Sequence, residues 1–368
     1  MCRVLFQGPL FGRLTKAGRD YLLKNGWQVL LENNNDDADN FNIAAVPLGT
    51  QRLGFVWPTK TGPQFQIDDA TAAHIRPFPK HMTDIFDDKL QLAEALKGTT
   101  LAPPCLLQPL VPKTIDPQKL YFVKHRYGAQ GKSVYVYSKD DLLAWHGRSQ
   151  NPQEFVIQEE ILPALHEGRK FVLRCHLLLV QNRDGNNDIH GSHGSHDIPS
   201  TVAGFVHKTS IICQHHTTRY QKGISEKSSQ VSQAGKKHPA PILFQDLPSD
   251  HPCANAYDQI FHSCQTLCST VPISSSGTTN ATTTTTPPPT SLAPETTCFG
   301  LFGLDLMMDS DGDIKVCEVN SHPALGWGTM SKVPQEVFER LIEETLSLLL
   351  QNSDPEYAES NFDKLGTY

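Results

Sequence analysis

The chain has 368 residues, 38% of them hydrophobic, which is too many for one small domain and enough for two or three lobes around a sizeable core. Its 32 basic and 39 acidic residues leave a net charge of −7, which argues against nucleic acid or an acidic membrane as the main partner. No apolar run of roughly 18 residues marks a transmembrane helix, the first ten residues lack a signal peptide's apolar centre, and nine cysteines without a CxxC pair fit reduced, cytoplasmic thiols.

In chain order, Val4–Pro9 (VLFQGP) has the form of a viral-protease cleavage scar and reads equally well as native sequence. Ala17–Leu23 has a short amphipathic helical pattern, and 27–31 and 43–47 are strand-like. The spacing of Ile85, Leu90, Leu92, Ala93 and Leu96 predicts a helix over 84–96, stopped by Pro103-Pro104. An N-terminal lobe is therefore expected over 1–104. A central lobe follows over 105–181, with strands at 120–124, 133–137, 155–158 and 170–181 and a helix beginning near Asp140.

A C-terminal lobe over 182–353 is interrupted by polar stretches near 182–200, 221–250 and 270–297, the last a Thr/Pro low-complexity run. These are expected as disordered insertions, with the 257–267 helix between the last two. The amphipathic pattern of 334–350 closes the lobe, and 354–368 is a tail. His190, His193 and His196 recur three apart in a glycine-rich loop, where adventitious metal binding is less expected than a disordered polar loop.

The most informative segment is 301–320. Strand-like runs flank Asp311-Gly312, a signal for a two-residue hairpin turn that places Asp305 directly opposite Glu318. Asn320 lies two residues further along, on the face of Glu318. Facing carboxylates repel unless a cation lies between them, and an Asp, a Glu and an Asn offer the oxygen ligands that Mg²⁺ prefers. A solvated hairpin with incidental charges remains open. A calcium loop is a weaker rival: Asp309, Asp311, Gly312, Ile314 and Glu318 fall at the right positions, but Met307 occupies the first and the flanks are strands.

Three basic or polar features accompany the hairpin. Lys124 ends a strand that runs into Gly128, Gly131 and Lys132, where glycines admit phosphates to backbone N–H groups, although ordinary turns use the same residues. The strand 155–158 runs into Gln158, Glu159, Glu160 and Ile161, which suits an adenine and a ribose or simply a solvated strand end. Lys170, Val172 and Arg174 share one strand face, able to clamp anionic oxygens or to meet solvent.

Taken in order, the lysine–glycine loop, VIQEEI, GRKFVLR and LFGLDLMMD…VCEVNSHP resemble the ATP-grasp core of the tubulin–tyrosine ligase-like family. The resemblance implies an α+β fold with N-terminal, central and C-terminal lobes and ATP between the last two. It implies adenine at Gln158–Ile161, phosphates at Lys124, Gly128, Gly131 and Lys132, and Mg²⁺ at Asp305, Glu318 and Asn320. Lys170 and Arg174 match basic catalytic positions, with Arg174 also reaching substrate. Lys208 matches a further substrate contact and Lys89 an N-terminal phosphate contact. Val172 stands where the family pattern has Asp, Ser133 where it has Gly, and Glu159 where Lys is common.

The implied activity is ATP- and Mg²⁺-dependent ligation of a free amino acid to a protein or peptide carboxylate, tubulin foremost, through an acylphosphate. The setting is cytoplasmic, with microtubule association, and without nucleic acid or membrane. Val172 supports the alternative of a non-catalytic partner- or microtubule-binding protein. A ligase for a small metabolite is the third reading.

Overall fold

In the computed structural model of the protein, the described residues are 3–7, 17–18, 20–21, 24, 28–31, 52–56, 74–78, 80–106, 110–128, 133–182, 201–222, 239–271, 296–321, 323, 325, 328–350 and 360–368. The strand expected at 43–47 and the histidine run at 190–196 lie outside them, as do most of the expected insertions. The helix expected over 17–23 lies only partly within them.

Four short strands open the chain: β1 (Arg3–Gln7), β2 (Gln28–Leu31), β3 (Arg52–Val56) and β4 (His74–Pro77). They pair in parallel in the order β2-β1-β3-β4. The helix expected over 84–96 is two helices, α1 (Lys80–Asp87) and α2 (Lys89–Ala95). Asp88 divides them because its carboxylate accepts the N–H groups of Leu90 (3.0 Å) and Gln91 (3.4 Å), an N-cap that needs non-helical backbone. This carboxylate is fully buried. Burial works to raise its pKa, but Arg126 and the capping N–H groups hold it below the usual carboxylate range.

The central lobe is a four-stranded antiparallel sheet of β5 (Cys105–Leu106), β6 (Tyr121–His125), β7 (Val134–Tyr137) and β8 (Phe155–Glu159), with α3 (Lys139–Arg148) between the last two. Its order is β5-β8-β6-β7. Tyr121, Val123 and Ile157 pack with Ile115 and Leu142 on one face. Side chains alternate along a strand, so Phe122, Lys124 and Gln158 project from the other face.

The remaining strands are β9 (Leu165–His166), β10 (Arg169–Asn182), β11 (Thr201–His207), β12 (Ile212–His215), β13 (Ile242–Leu243), β14 (Thr296–Met308), β15 (Ile314–Asn320) and β16 (Phe362–Thr367). Two long strands, β10 and β14, run antiparallel at the centre of a large sheet. The first half of β10 pairs with β12 and the second half with β11. The start of β14 pairs in parallel with β4, so the N-terminal strands extend this same sheet.

Odd-numbered residues of β10 (Phe171, Leu173, Cys175, Leu177) pack beneath α4 (Tyr257–Thr270), and even-numbered Leu178 and Val180 pack beneath α5 (Gln335–Leu350). Burying both faces requires apolar residues at consecutive positions, which is why residues 177–180 are all apolar.

Three expectations change. The 170–181 strand, assigned to the central lobe, is the hub of the large sheet, because β14 and β12 pair with it on its two edges. Within the stretch expected as a 221–250 insertion, residues 239–250 hold β13 and a short helical turn. The tail contains β16, which pairs with β11, while the Tyr257 hydroxyl donates to Asp363 and Gln265 donates to the Leu365 carbonyl (2.8 Å). No helix among the described residues is long and apolar enough to cross a membrane, and the eight described cysteines are free thiols.

Candidate active site

The carboxylate hairpin of β14 and β15 reaches its expected register by an unexpected route. Gly312 N donates to Asp309 O (3.1 Å), Asp309 N donates to Asp313 O (2.9 Å), and Gly312 has φ +91°, which makes a three-residue turn rather than a two-residue one. Met308 therefore pairs with Ile314 and Leu306 with Val316, one residue out of step. An irregularity between Asp305 and Leu306 takes up Cys317 as an extra residue, and beyond it Asp305 pairs with Glu318 and Gly303 with Asn320. Val316 and Val319 stay buried while Cys317 and Glu318 between them are both half-buried, a break in alternation that marks the bulge. The acidic turn closes on itself: Asp309 accepts from the N–H groups of Asp311 (3.1 Å) and Asp313 (2.8 Å), and Lys315 lies 3.5 Å from both Asp309 and Asp313. With strands on both sides, it does not form the helix-flanked calcium loop.

Each carboxylate of the hairpin meets a cation from another element. Arg174 on β10 lies opposite Asp305 and grips it with two bonds, Nε to Oδ1 at 2.6 Å and Nη2 to Oδ2 at 3.0 Å. Lys89, the first residue of α2, donates to Glu318 Oε1 (3.0 Å) and to the carbonyl of Gly128 in the lysine–glycine loop (2.6 Å). It thus ties the hairpin to the central lobe. Asn320 donates to the Gly303 carbonyl (3.4 Å), and Ser321 hydroxyl donates to Asp87 (2.6 Å), fixing the end of β15 against α1.

Lys170 is buried, 6.0 Å from the centre of the Phe122 ring on the facing sheet. Burial, opposed by Cys317 and Glu160 and reinforced by Lys124, lowers its pKa to about 8. Four strands therefore converge here: Cys317 lies within electrostatic reach of Lys124, Lys170, Asp305 and Glu318, and Arg174 within reach of the two carboxylates. The Cys317 thiol is itself pushed up by burial.

The strand end at 158–161 is only partly as expected. Gln158 is buried on the face of Phe122 and Lys124. Glu159 alternates to the other face and pairs with Lys119 at 2.5 Å, while its N–H donates to Pro104 O (2.8 Å). Glu160 accepts from the Tyr220 hydroxyl, and its N–H donates to Leu120 O (2.8 Å). Ile161 follows, half-buried. Lys208 does not join the cluster: its ammonium lies 4.8 Å over the ring of Tyr257, which packs on the α4 side of the sheet, whereas Arg174 projects from the other side. Gly131 and Lys132 lie outside the described residues. Val172, between Lys170 and Arg174, brings no carboxylate to the face they share, and pairs with Gln214.

Sequence reasoning missed the Asp88–Arg126–Tyr127 network and the countercharge role of Lys89, since both depend on contacts across lobes. The donor set at the hairpin fits a hard divalent cation. It consists of oxygens, on one face of paired strands, and the two carboxylates already attract two cations.

The fold defines the class. Over 100% of this chain and 99% of the other, the structure is similar to the crystal structure of the C-terminal domain of K. lactis Pby1, described as an ATP-grasp enzyme interacting with the mRNA decapping enzyme Dcp2, with a TM-score of 0.57 at 12% identity. The chain has an ATP-grasp fold. Residues 219–357 match the family model of the tubulin-tyrosine ligase family, so the resemblance carried by the motifs is shown over that segment, which contains Asp305, Glu318 and Asn320. No curated protein matches the chain.

Proposed function

We propose that the protein is an ATP- and Mg²⁺-dependent ligase that joins the amine of an amino acid to a protein or peptide carboxylate, tubulin being the first acceptor to test. One observation carries the reading: Lys170 and Arg174 on β10 lie beside the hairpin that bears Asp305, Glu318 and Asn320, and Lys124 of the central sheet comes within electrostatic reach of Lys170. ATP fits this junction with its adenine against Gln158 and Ile161 and its phosphates towards Lys124 and Lys170. Lys89 and Gly128 stand where the glycine loop meets the hairpin. Asp305, Glu318 and Asn320 are the residues to hold Mg²⁺, which when bound neutralises phosphate charge.

The acceptor carboxylate oxygen attacks the γ-phosphorus, the bond to the β–γ bridging oxygen breaks, and ADP leaves. The amine then attacks the acylphosphate carbonyl, the amide forms, and phosphate leaves with the bonding pair. Lys170 and Arg174 stabilise the charge that develops on phosphate and carbonyl oxygens, and the strands that carry them supply positioning. The reading places the protein in the cytoplasm, where tubulin and reduced thiols coexist.

The test incubates purified full chain with ATP, Mg²⁺, labelled amino acids and tubulin or lysate peptides, reading ADP release and labelled product by mass spectrometry. Acceptor-dependent ADP release that Glu318→Gln abolishes supports the proposal. ATP binding without stimulated turnover overturns the ligase reading and favours the ATP-binding partner protein that Val172 suggests, in which case Val172→Asp is the variant that gains turnover.

A further inference from the structure

Three histidines from separate parts of the chain converge behind the strand that carries Lys170. His166 ends β9, His215 ends β12, and His251 lies in the turn before α4. One ring nitrogen of each lies within 4.8 Å of the others. His166 Nδ1 and His215 Nε2 are 3.2 Å apart. Ring centroids are separated by 4.6 Å (His166–His251), 5.2 Å (His166–His215) and 5.4 Å (His215–His251). His215 and His251 are buried and His166 is half-buried.

We propose that His166, His215 and His251 form a binding site for a borderline divalent transition-metal ion, with Zn²⁺ as the reference metal. The site is separate from the Asp305–Glu318 hairpin, whose oxygens suit a harder cation. Ligands at about 2.0–2.1 Å from tetrahedral zinc stand about 3.4 Å from one another, close to the His166–His215 separation. Zinc takes neutral imidazoles, and burial first, then the neighbouring rings, brings His251 down to about 4 and His215 below the ordinary histidine range. Glu167, Arg169 and Asp250 are charged groups within electrostatic reach of the cluster.

Cys213 shares the His215 face of β12, with its sulfur 3.6 Å from His251 Nε2. The fourth position goes to the Cys213 sulfur, held by zinc as a thiolate, or to water, and the Co²⁺ absorption measured in the test tells a sulfur ligand from an oxygen one. His251 Nδ1 accepts the Cys253 N–H (3.1 Å), which leaves the ring proton on Nε2. Zinc binding at Nε2 moves that proton to Nδ1 and breaks the Cys253 bond. The bound metal joins the β9–β10 hairpin, β12 and the turn before α4. Phe171, next to Lys170 in the chain, lies 4.5 Å from the His251 ring, so the metal braces the back of the strand that presents Lys170.

The test uses the full chain stripped with a chelator, then titrated with Zn²⁺ by calorimetry in excess Mg²⁺, with Co²⁺ absorption reporting the coordination. One equivalent of zinc bound below micromolar concentration is expected, weakened roughly 100-fold or more by His166→Gln and by His251→Gln. A triple alanine substitution at His190, His193 and His196 should leave the affinity unchanged. Because His166 is half-buried, His166→Gln carries the test if His251→Gln fails to fold, with circular dichroism as the check. The proposal is overturned if wild type binds no zinc at micromolar concentration. It is equally overturned if His166→Gln binds normally, or if the 190/193/196 variant loses the site.

Discussion

The Arg174–Asp305 pair is the contact on which the site's geometry most depends. Both side chains are mostly enclosed, 15% and 20% exposed, and they share two charge-assisted bonds. Arg174→Met keeps most of the aliphatic stem and removes the guanidinium, leaving the Asp305 carboxylate directly opposite Glu318 with one countercharge, Lys89, between the two acids. Breaking a fully buried pair costs ~3–5 kcal/mol, and the residual exposure here reduces that to ~2–3 kcal/mol. At about 2–4 °C per kcal/mol, the melting temperature should fall by ~4–12 °C.

The double variant Arg174→Met/Asp305→Leu replaces the ion pair with an apolar pair, and should lose only ~1 kcal/mol relative to wild type. Urea unfolding of wild type, both single variants and the double variant at pH 7 without nucleotide gives the coupling energy. A coupling of ~2 kcal/mol is expected. Additivity within ~0.5 kcal/mol would refute the claim that this pair holds β10 to β14 at the site.

The proposed function makes ATP–Mg²⁺ binding sensitive to alkali through Lys170: its ammonium, lowered to about 8, discharges as pH rises, so the affinity should fall roughly tenfold between pH 7 and 9, with Lys170→Met flat over that range by calorimetry. The stability sign is opposite, because the folded chain gives up this proton before the unfolded chain does, so the cost of burying Lys170 is relieved between about 8 and 10.5. Gly303→Ala places a Cβ 2.9 Å from Pro323 Cβ and 3.3 Å from Arg174 Nη1, and a thermal melt should show a loss of ~1–3 kcal/mol. Asp88→Ala removes the cap of α2 (~1 kcal/mol) and leaves Arg126 without its partner, whereas Asp88→Asn keeps the cap and should recover roughly half of the lost stability in urea unfolding. Glu344 is pulled down to about 2, because His207, Arg340 and Asn361 outweigh its burial. The stability it contributes is full above about 4.5 and lost as pH falls towards 2, so the acid-unfolding curve of Glu344→Gln should be flatter across that window.

The central lobe was legible in sequence because its signals are local: β6, β7 and β8 lie within one residue of the strands expected, and Lys139–Arg148 follows a Ser138 cap that sequence alone displays. The placement of β10 was not legible. A strand that alternates Lys170, Val172 and Arg174 and then turns wholly apolar suits either sheet, and only its pairing with β14, well over a hundred residues away, decides. Distance hid β16 as well, since a six-residue strand at the end of a polar tail has no partner until β11 is in place. The break at Asp88 was missed for another reason. Apolar spacing runs through it undisturbed, and what stops the helix is a side chain satisfied by Arg126 and Tyr127 from the central lobe.

At the hairpin, sequence reached the right pairing through a wrong turn, and the two offsets have one physical origin. A two-residue turn at Asp311-Gly312 would carry a single register along the whole ladder and keep strict alternation through Cys317 and Glu318. The actual turn takes one residue more, because Asp309 caps the N–H groups of Asp311 and Asp313 and Gly312 supplies the left-handed position that closes it. Left uncorrected, that extra residue would pair Asp305 with Cys317 and turn Glu318 into the core. The bulge at Cys317 absorbs it, keeping Ile314, Val316 and Val319 buried while Glu318 and Asn320 stay at the site. Deleting Cys317 should therefore remove the bulge yet leave Asp305 opposite Glu318, because the ladder then runs from Leu306–Val316 directly to Asp305–Glu318, whereas inserting one residue after Cys317 should drive Glu318 out of phase with Asp305 and lower the melting temperature more than the deletion does.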